Sequence, residues 1–148
     1  MMTKKYQASS PGSIASPSDH QPAHDLKKRL SSLAYHVTQQ AGTEPAFSGR
    51  YQHSKKAGHY HCVCCDQVLF SSQTQFDSGS GWPSFWDSID EKSINTRMDS
   101  RHGLVRTEVT CSRCNAHLGH VFDDGPHPTG LRYCINSVAL RHQDDNLD

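Results

Sequence analysis

The chain is predicted to be a mostly β domain with a helical flank, on three observations. Past residue 42 the apolar residues fall in short runs separated by clusters of Gly, Pro, Asp and Ser, which is the punctuation of strands and turns. No βαβ alternation and no internal repeat is visible apart from a doubled cysteine pair. One amphipathic segment precedes the strands, and it is short enough to need a sheet to pack against. A length of 148 residues suits a single domain with its own core.

Taken in order, residues 1 to 24 are rich in Ser, Pro, Gln and Ala and poor in large apolar groups, so a disordered N-terminal tail is expected. The folded domain is placed at 25 to 142, with a short C-terminal tail at 143 to 148. Leu26, Leu30, Leu33, Ala34 and Val37 recur at helical spacing, Asp25 can cap the start and Gly42 follows the end, which predicts one helix. Val68-Leu69-Phe70 reads as a strand. Ser93 to Met98 and Leu104 to Thr110 flank the turn Ser100-Arg101-His102-Gly103, an antiparallel hairpin. A further strand is expected from Leu131 to Leu140.

Fifteen Lys plus Arg balance fifteen Asp plus Glu, leaving no net field to hold a polyanion, so nucleic acid is not expected as a partner. No apolar run approaches the ~20 residues of a membrane span, and the first residues lack a secretory hydrophobic stretch. A soluble, cytoplasmic protein is expected. The absence of Arg from these first residues argues against an organellar transit peptide, while their Ser-rich, acid-poor composition keeps that alternative open.

Of six cysteines, Cys62 and Cys65 form one C-x-x-C pair and Cys111 and Cys114 another. Two such knuckles can close a tetrahedral thiolate shell around one zinc ion, and four thiolates leave that ion no open position, so the metal is expected to be structural. A thioredoxin-type redox pair is disfavoured because no βαβ unit accompanies it. Eleven histidines include His53, His59 and His61 near the first knuckle, but no carboxylate or thiol joins them at ligand spacing. Chemistry must then come from elsewhere. Cys134, in Arg132-Tyr133-Cys134-Ile135-Asn136, would share one strand face with Arg132 and Asn136, and a nearby cation raises the thiolate fraction of a thiol.

The surroundings of that thiol carry a resemblance. Trp82-Pro83-Ser84-Phe85 follows a Gly-Ser-Gly turn, and His117-Leu118-Gly119-His120-Val121-Phe122 follows the second knuckle. With Tyr35-His36-Val37-Thr38, Gly42-Thr43-Glu44-Pro45-Ala46-Phe47 and Phe76-Asp77-Ser78-Gly79, these motifs resemble the methionine-R-sulfoxide reductase (type B) family from residue 35 to residue 140. The resemblance implies two antiparallel β-sheets forming a barrel-like domain with short flanking helices, and a structural zinc site of four cysteines away from catalysis. It implies one zinc per chain, no organic cofactor, oxidised proteins or peptides as substrate, thioredoxin or another thiol as reductant, and a monomer that repairs oxidative damage. It matches Cys134 to the nucleophile, Trp82 to the indole against the substrate methyl, and His117, His120 and Asn136 to the polar groups around the sulfoxide oxygen. Arg132 and Phe122 match supporting positions of the same pocket.

The chemistry requires a thiolate and an acid, because the sulfoxide oxygen has to be protonated before it can leave the sulfur. Either His117 or His120 can be that acid, and either can be a packed histidine. Where many relatives carry a resolving cysteine two residues before the tryptophan, this chain has Ser80, so direct reduction of a Cys134 sulfenic acid is expected. Cys64 is the other cysteine that could resolve it, but it lies within the zinc knuckle. A zinc-stabilised binding module without catalysis is the competing reading, and it has no need of Trp82, His117, His120 and Cys134 together.

Overall fold

A computed structural model describes residues 23–54 and 56–145. Of the tails predicted at 1–24 and 143–148, residues 1–22 and 146–148 lie outside the described residues. Two helices replace the single one expected: α1 (Ala23–Arg29) and α2 (Ser32–Gln40). Ser31 breaks the run, because its extended backbone (φ −63°, ψ 161°) and its hydroxyl, which accepts the Ala34 N–H at 3.0 Å, start a new helix. Asp25 therefore lies in the first turn of α1 and not at a cap. Of the expected apolar positions Leu26, Leu30, Ala34 and Val37 are buried, while Leu33 is exposed. Ala41 turns left-handed (φ 55°) and Gly42 donates back to the His36 carbonyl at 3.1 Å. A Cβ on Gly42 would lie 2.2 Å from the His36 ring.

The strands are β1 (Gly58–Cys62), β2 (Val68–Ser71), β3 (Gln75–Phe76), β4 (Ser84–Phe85), β5 (Ile94–Asp99), β6 (Arg106–Cys111), β7 (His117–Phe122), β8 (Arg132–Ile135) and β9 (Leu140–Asp144). They form a three-stranded sheet, β2-β1-β9, and a six-stranded sheet, β3-β4-β8-β7-β6-β5, with every pairing antiparallel. The fold is mainly β, with two antiparallel sheets and few helices. The expected hairpin is β5–β6, running in register from Ile94 opposite Cys111 to Asp99 opposite Arg106.

The strand expected from Leu131 to Leu140 is broken in two. Beyond Ile135 the Ser137 and Val138 N–H groups donate to the Glu44 carboxylate at 2.9 and 3.0 Å in place of a ladder partner. A 3-10 turn over Ser137–Ala139 then hands the chain to the small sheet as β9. Pairing continues to Asp144, opposite Gly58, two residues past the domain boundary set at 142. Both sheets share one core. Phe70 of β2 stacks on Phe85 of β4 at 4.5 Å between centroids, and Tyr60 of β1 meets Phe85 edge-on at 5.3 Å. All three are fully buried, each contributing about 1.5–3 kcal/mol through the apolar area removed from water.

Candidate active site and metal centre

The two cysteine pairs adopt the same turn. Asp66 and Asn115, each following the second cysteine of its pair, take positive φ (73° and 65°), and their N–H groups donate to the Cys62 and Cys111 carbonyls, both at 2.8 Å. Asp and Asn tolerate that conformation better than other residues with a Cβ. The turns bring together the sulfurs of Cys62, Cys65, Cys111 and Cys114, all within 4.8 Å of one another and as close as 3.5 Å for Cys62–Cys114 and Cys65–Cys111. Four ligands at ~2.3 Å from a tetrahedral ion would be spaced about 3.8 Å apart, so the cluster fits a metal ion. Gln67 Nε2 approaches Cys111 Sγ at 3.6 Å, a donor aimed at a sulfur that carries charge when it ligates.

Cys134 opens on a different feature, a cavity of about 280 Å³ lined by Thr43, Ser80, Trp82, His120, Arg132 and Asn136, among others. Phe122 and Arg106 also border it. In the β7–β8 ladder His120 lies directly opposite Cys134, and Phe122 opposite Arg132, so these four side chains share one face. The indole of Trp82 is fixed by its Nε1–H donating to the Glu44 carbonyl at 3.0 Å. Asn136 accepts the Glu44 N–H at its Oδ1 and donates through Nδ2 to the Leu118 carbonyl, both at 2.9 Å, which leaves one Nδ2 hydrogen for the cavity.

The Arg132 guanidinium pulls the thiol pKa down, as expected of a neighbouring cation, but it is shared: its Nε and Nη2 bond Asp124 at 2.9 and 3.2 Å and its face lies over the Phe122 ring at 4.4 Å. Burial pushes the Cys134 thiol above its ordinary pKa, and the Ser80 hydroxyl and Arg132 offset only part of that.

The two histidines are not equivalent. His120 faces the cavity while its Nε2 bonds Asp99 Oδ2 at 2.9 Å. His117 does not line the cavity; its Nδ1 bonds Glu108 Oε2 at 2.7 Å and its ring stands edge-on to that of His120 at 5.4 Å. Nε2 of His117 is buried without a hydrogen-bond partner among the described residues. Arg101 bridges the two carboxylates, holding Asp99 at 2.7 Å and Glu108 at 3.4 Å, and Arg97 holds Glu108 at 2.6 Å. Hydrogen bonds from Arg101 and His120 hold Asp99 well below the usual carboxylate range. Burial works to raise Glu108, but Arg97 and His117 overcome it and leave its pKa lowered. Burial lowers both histidines, against the opposing pull of Glu108 on His117 and of Asp99 on His120.

All four groups therefore bind protons more weakly folded than unfolded, and each contributes stability above its unfolded pKa that is lost as pH falls through its folded value. Thermal melts are expected to hold level above about pH 7, to drop as pH falls below the ordinary histidine range near 6.5, and to drop again below about pH 4. A His117→Gln variant should lose part of the first drop, and a melting temperature independent of pH between 7 and 4 would contradict the network.

Reasoning from sequence missed Asp99, Glu108 and Glu44. Asp99 and Glu108 end up on the face of the large sheet that carries His120, and an acidic residue inside an alternating strand was the available signal. Glu44 is 1 % exposed, so its clamp is an interior one, joining the loop after α2 to the end of β8 and to Trp82. Glu44→Ala leaves two buried N–H groups without acceptors, and a loss of about 3 kcal/mol in chemical denaturation is expected, with a changed Trp fluorescence.

Fold and site define a class: a β domain stapled by a four-cysteine cluster that presents a separate thiol to a cavity holding an imidazole and an indole. The SelR domain family matches residues 30–144. A peptide methionine sulfoxide reductase MsrB of Thioalkalivibrio sulfidiphilus is 60 % identical over 115 residues, covering 78 % of this chain and 84 % of that protein. The protein of the same description from Escherichia coli (strain K12 / DH10B) is 56 % identical over 122 residues, covering 82 % and 89 %. Among solved structures, the crystal structure of the Mis18 'Yippee-like' domain aligns with 62 % of this chain and 100 % of that one at 21 % identity and a TM-score of 0.49. The chain belongs to the SelR domain family, that of the peptide methionine sulfoxide reductases MsrB.

Proposed function

We propose that the chain is an oxidoreductase that reduces methionine-R-sulfoxide, preferentially within proteins, to methionine, with Cys134 as the attacking thiol. The observation that carries this reading is the placement of Cys134 directly across from His120 in a cavity walled by Trp82. The sulfur of Cys134 bonds to the sulfoxide sulfur while His120 donates a proton to its oxygen; the oxygen then passes to Cys134, which becomes a sulfenic acid as the methionine thioether leaves. Cys134 loses two electrons and the sulfoxide gains them. His120, with Nε2 engaged by Asp99, offers its Nδ1–H when protonated, and its lowered pKa makes it a ready donor. His117 supports that ring from behind, Asn136 offers its free N–H to the oxygen, and Trp82 receives the methyl group. Phe122 and Arg132 close the far wall.

Two equivalents of thiol, from thioredoxin or a small thiol, then reduce the sulfenic acid and release water. Cys64, beside the metal cluster with Gln39 Nε2 at 3.4 Å from its sulfur, has no part in this step. Cys62, Cys65, Cys111 and Cys114 hold one structural zinc ion, the metal that an all-sulfur tetrahedral site in a chain without redox-cluster spacing favours. Among the described residues no helix is long and apolar enough to cross a membrane. We place the protein in the cytoplasm as a monomer, in keeping with the free thiols of Cys64 and Cys134. The test is turnover of the separate sulfoxide epimers, free and peptide-linked, with dithiothreitol as reductant. Reduction of the R epimer with the S epimer untouched is expected, and equal rates on both, or on neither, would remove the reading.

A further inference from the structure

No charged donor that faces Cys134 serves it alone. The charged and titratable groups that face it are Arg132 on its own strand, His120 on β7, Arg106 on β6 and Glu44 on the loop after α2. Arg132 hydrogen-bonds the thiol but is shared with Asp124, His120 is engaged by Asp99, Arg106 Nη2 is drawn to Asp99 at 4.0 Å, and Glu44 is acidic. On the remaining side lie three hydroxyls. Ser84 of β4 is fully buried and directly opposite Cys134 in the β4–β8 ladder. Its Oγ lies 2.7 Å from Ser78 Oγ, which lies 2.8 Å from Ser80 Oγ, which in turn lies 4.0 Å from Cys134 Sγ.

We propose that Ser84, Ser78 and Ser80 form a hydroxyl relay whose last hydrogen is donated to the sulfur of Cys134, first as the attacking group and then as the sulfenic acid. Ser80 is the donor to the reacting sulfur, and Ser78 and Ser84 are positioning residues. The proposal rests on the reading of Cys134 as the nucleophile and adds to it the group that makes that sulfur competent.

Direction follows from counting hydrogens. Each hydroxyl has one. Ser78 donates to Ser80, so the Ser84–Ser78 contact is donated by Ser84, whose hydrogen is shared with the Trp82 carbonyl at 3.1 Å; the Ser80 hydrogen is left for the sulfur, while the Ser80 oxygen also accepts the Trp82 N–H at 3.4 Å. Successive donors polarise one another, which strengthens the last bond. The loop is shaped for this. Gly79 and Gly81 on either side of Ser80 take φ 76° and 98°, and Asp77 Oδ1 accepts the Gly79 N–H at 2.9 Å. A separation of 4.0 Å suits a neutral thiol, and it should shorten once the sulfur carries charge.

The experiment is the pH dependence of iodoacetamide alkylation at Cys134, read by peptide mass spectrometry on the full zinc-loaded chain. It monitors the sulfur and not sulfoxide turnover, so it can fail while the role of Cys134 stands, and the reverse. For Ser80→Ala the alkylation midpoint should rise by about one pH unit, equivalent to about tenfold less thiolate at neutrality. Ser78→Ala, which touches no atom of Cys134, should raise it by roughly half as much, and Ser80→Thr, which keeps the hydroxyl, should restore the parent value. Midpoints that coincide for Ser78→Ala, Ser80→Ala and the parent overturn the relay. So does a rise in Ser80→Ala that Ser80→Thr leaves unreversed, since that would be an effect of filled space.

Discussion

Replacing Cys134 with serine is expected to lower R-sulfoxide reduction by a factor on the order of 10⁴ or more, leaving the fold and the bound metal intact. A serine hydroxyl is essentially un-ionised at neutral pH, and it cannot take the sulfoxide oxygen as a sulfenic acid does. The substitution swaps one atom at a partly buried position that faces a cavity, so little packing is lost. The metal cluster lies apart from Cys134: its ligands sit at the ends of β1 and β6 and in the turns that follow them, and the thiol lies on β8. Metal analysis should therefore still find one zinc per chain. Cys64→Ser serves as the control and should turn over normally. Persistent turnover in Cys134→Ser would move the nucleophile elsewhere and end the mechanism proposed above.

The second large effect belongs to the metal. Chelation under reducing conditions is expected to unfold the domain cooperatively, and Cys111→Ser should do the same at ordinary temperatures. Zinc bound to sites of this kind contributes on the order of 10 kcal/mol to folding, comparable with the whole net stability of a typical domain. Cys62 and Cys111 are completely buried, so four bare sulfurs would either crowd as anions or sit as poorly paired thiols. Circular dichroism with increasing chelator should show loss of β signal in step with zinc release. A chain that kept its melting temperature after complete metal removal would show that the cluster is incidental to the fold.

How much of this could be read from residues varied with the range of the interaction. The knuckles were legible because ligand spacing is a local property, and the β5–β6 hairpin because its turn chemistry is local too. The helix break at Ser31 was legible in principle, since a serine before Ser32-Leu33-Ala34 is a capping signal, but the unbroken apolar period outweighed it. Glu44 illustrates what sequence cannot carry: its oxygens bind backbone groups 93 and 94 residues away. The same holds for Arg101, whose task of bridging Asp99 and Glu108 depends on the register of β5 against β6. Arg132 is a mixed case. A cation two residues from a thiol was expected to favour the thiolate, and it does pull in that direction, but only the fold reveals that burial outweighs it and that Asp124 shares the guanidinium.

The crossover after Ile135 ties recognition to construction. Because the chain quits one layer for the other a single step beyond the strand bearing Cys134, that segment has no slack: a residue inserted there would rotate the sulfur away from its imidazole or unzip the outermost ladder. The residue whose carboxylate catches the crossover also steadies the indole wall through its backbone carbonyl, so a tug on the last strand would be felt in the chamber where the substrate's methyl group rests.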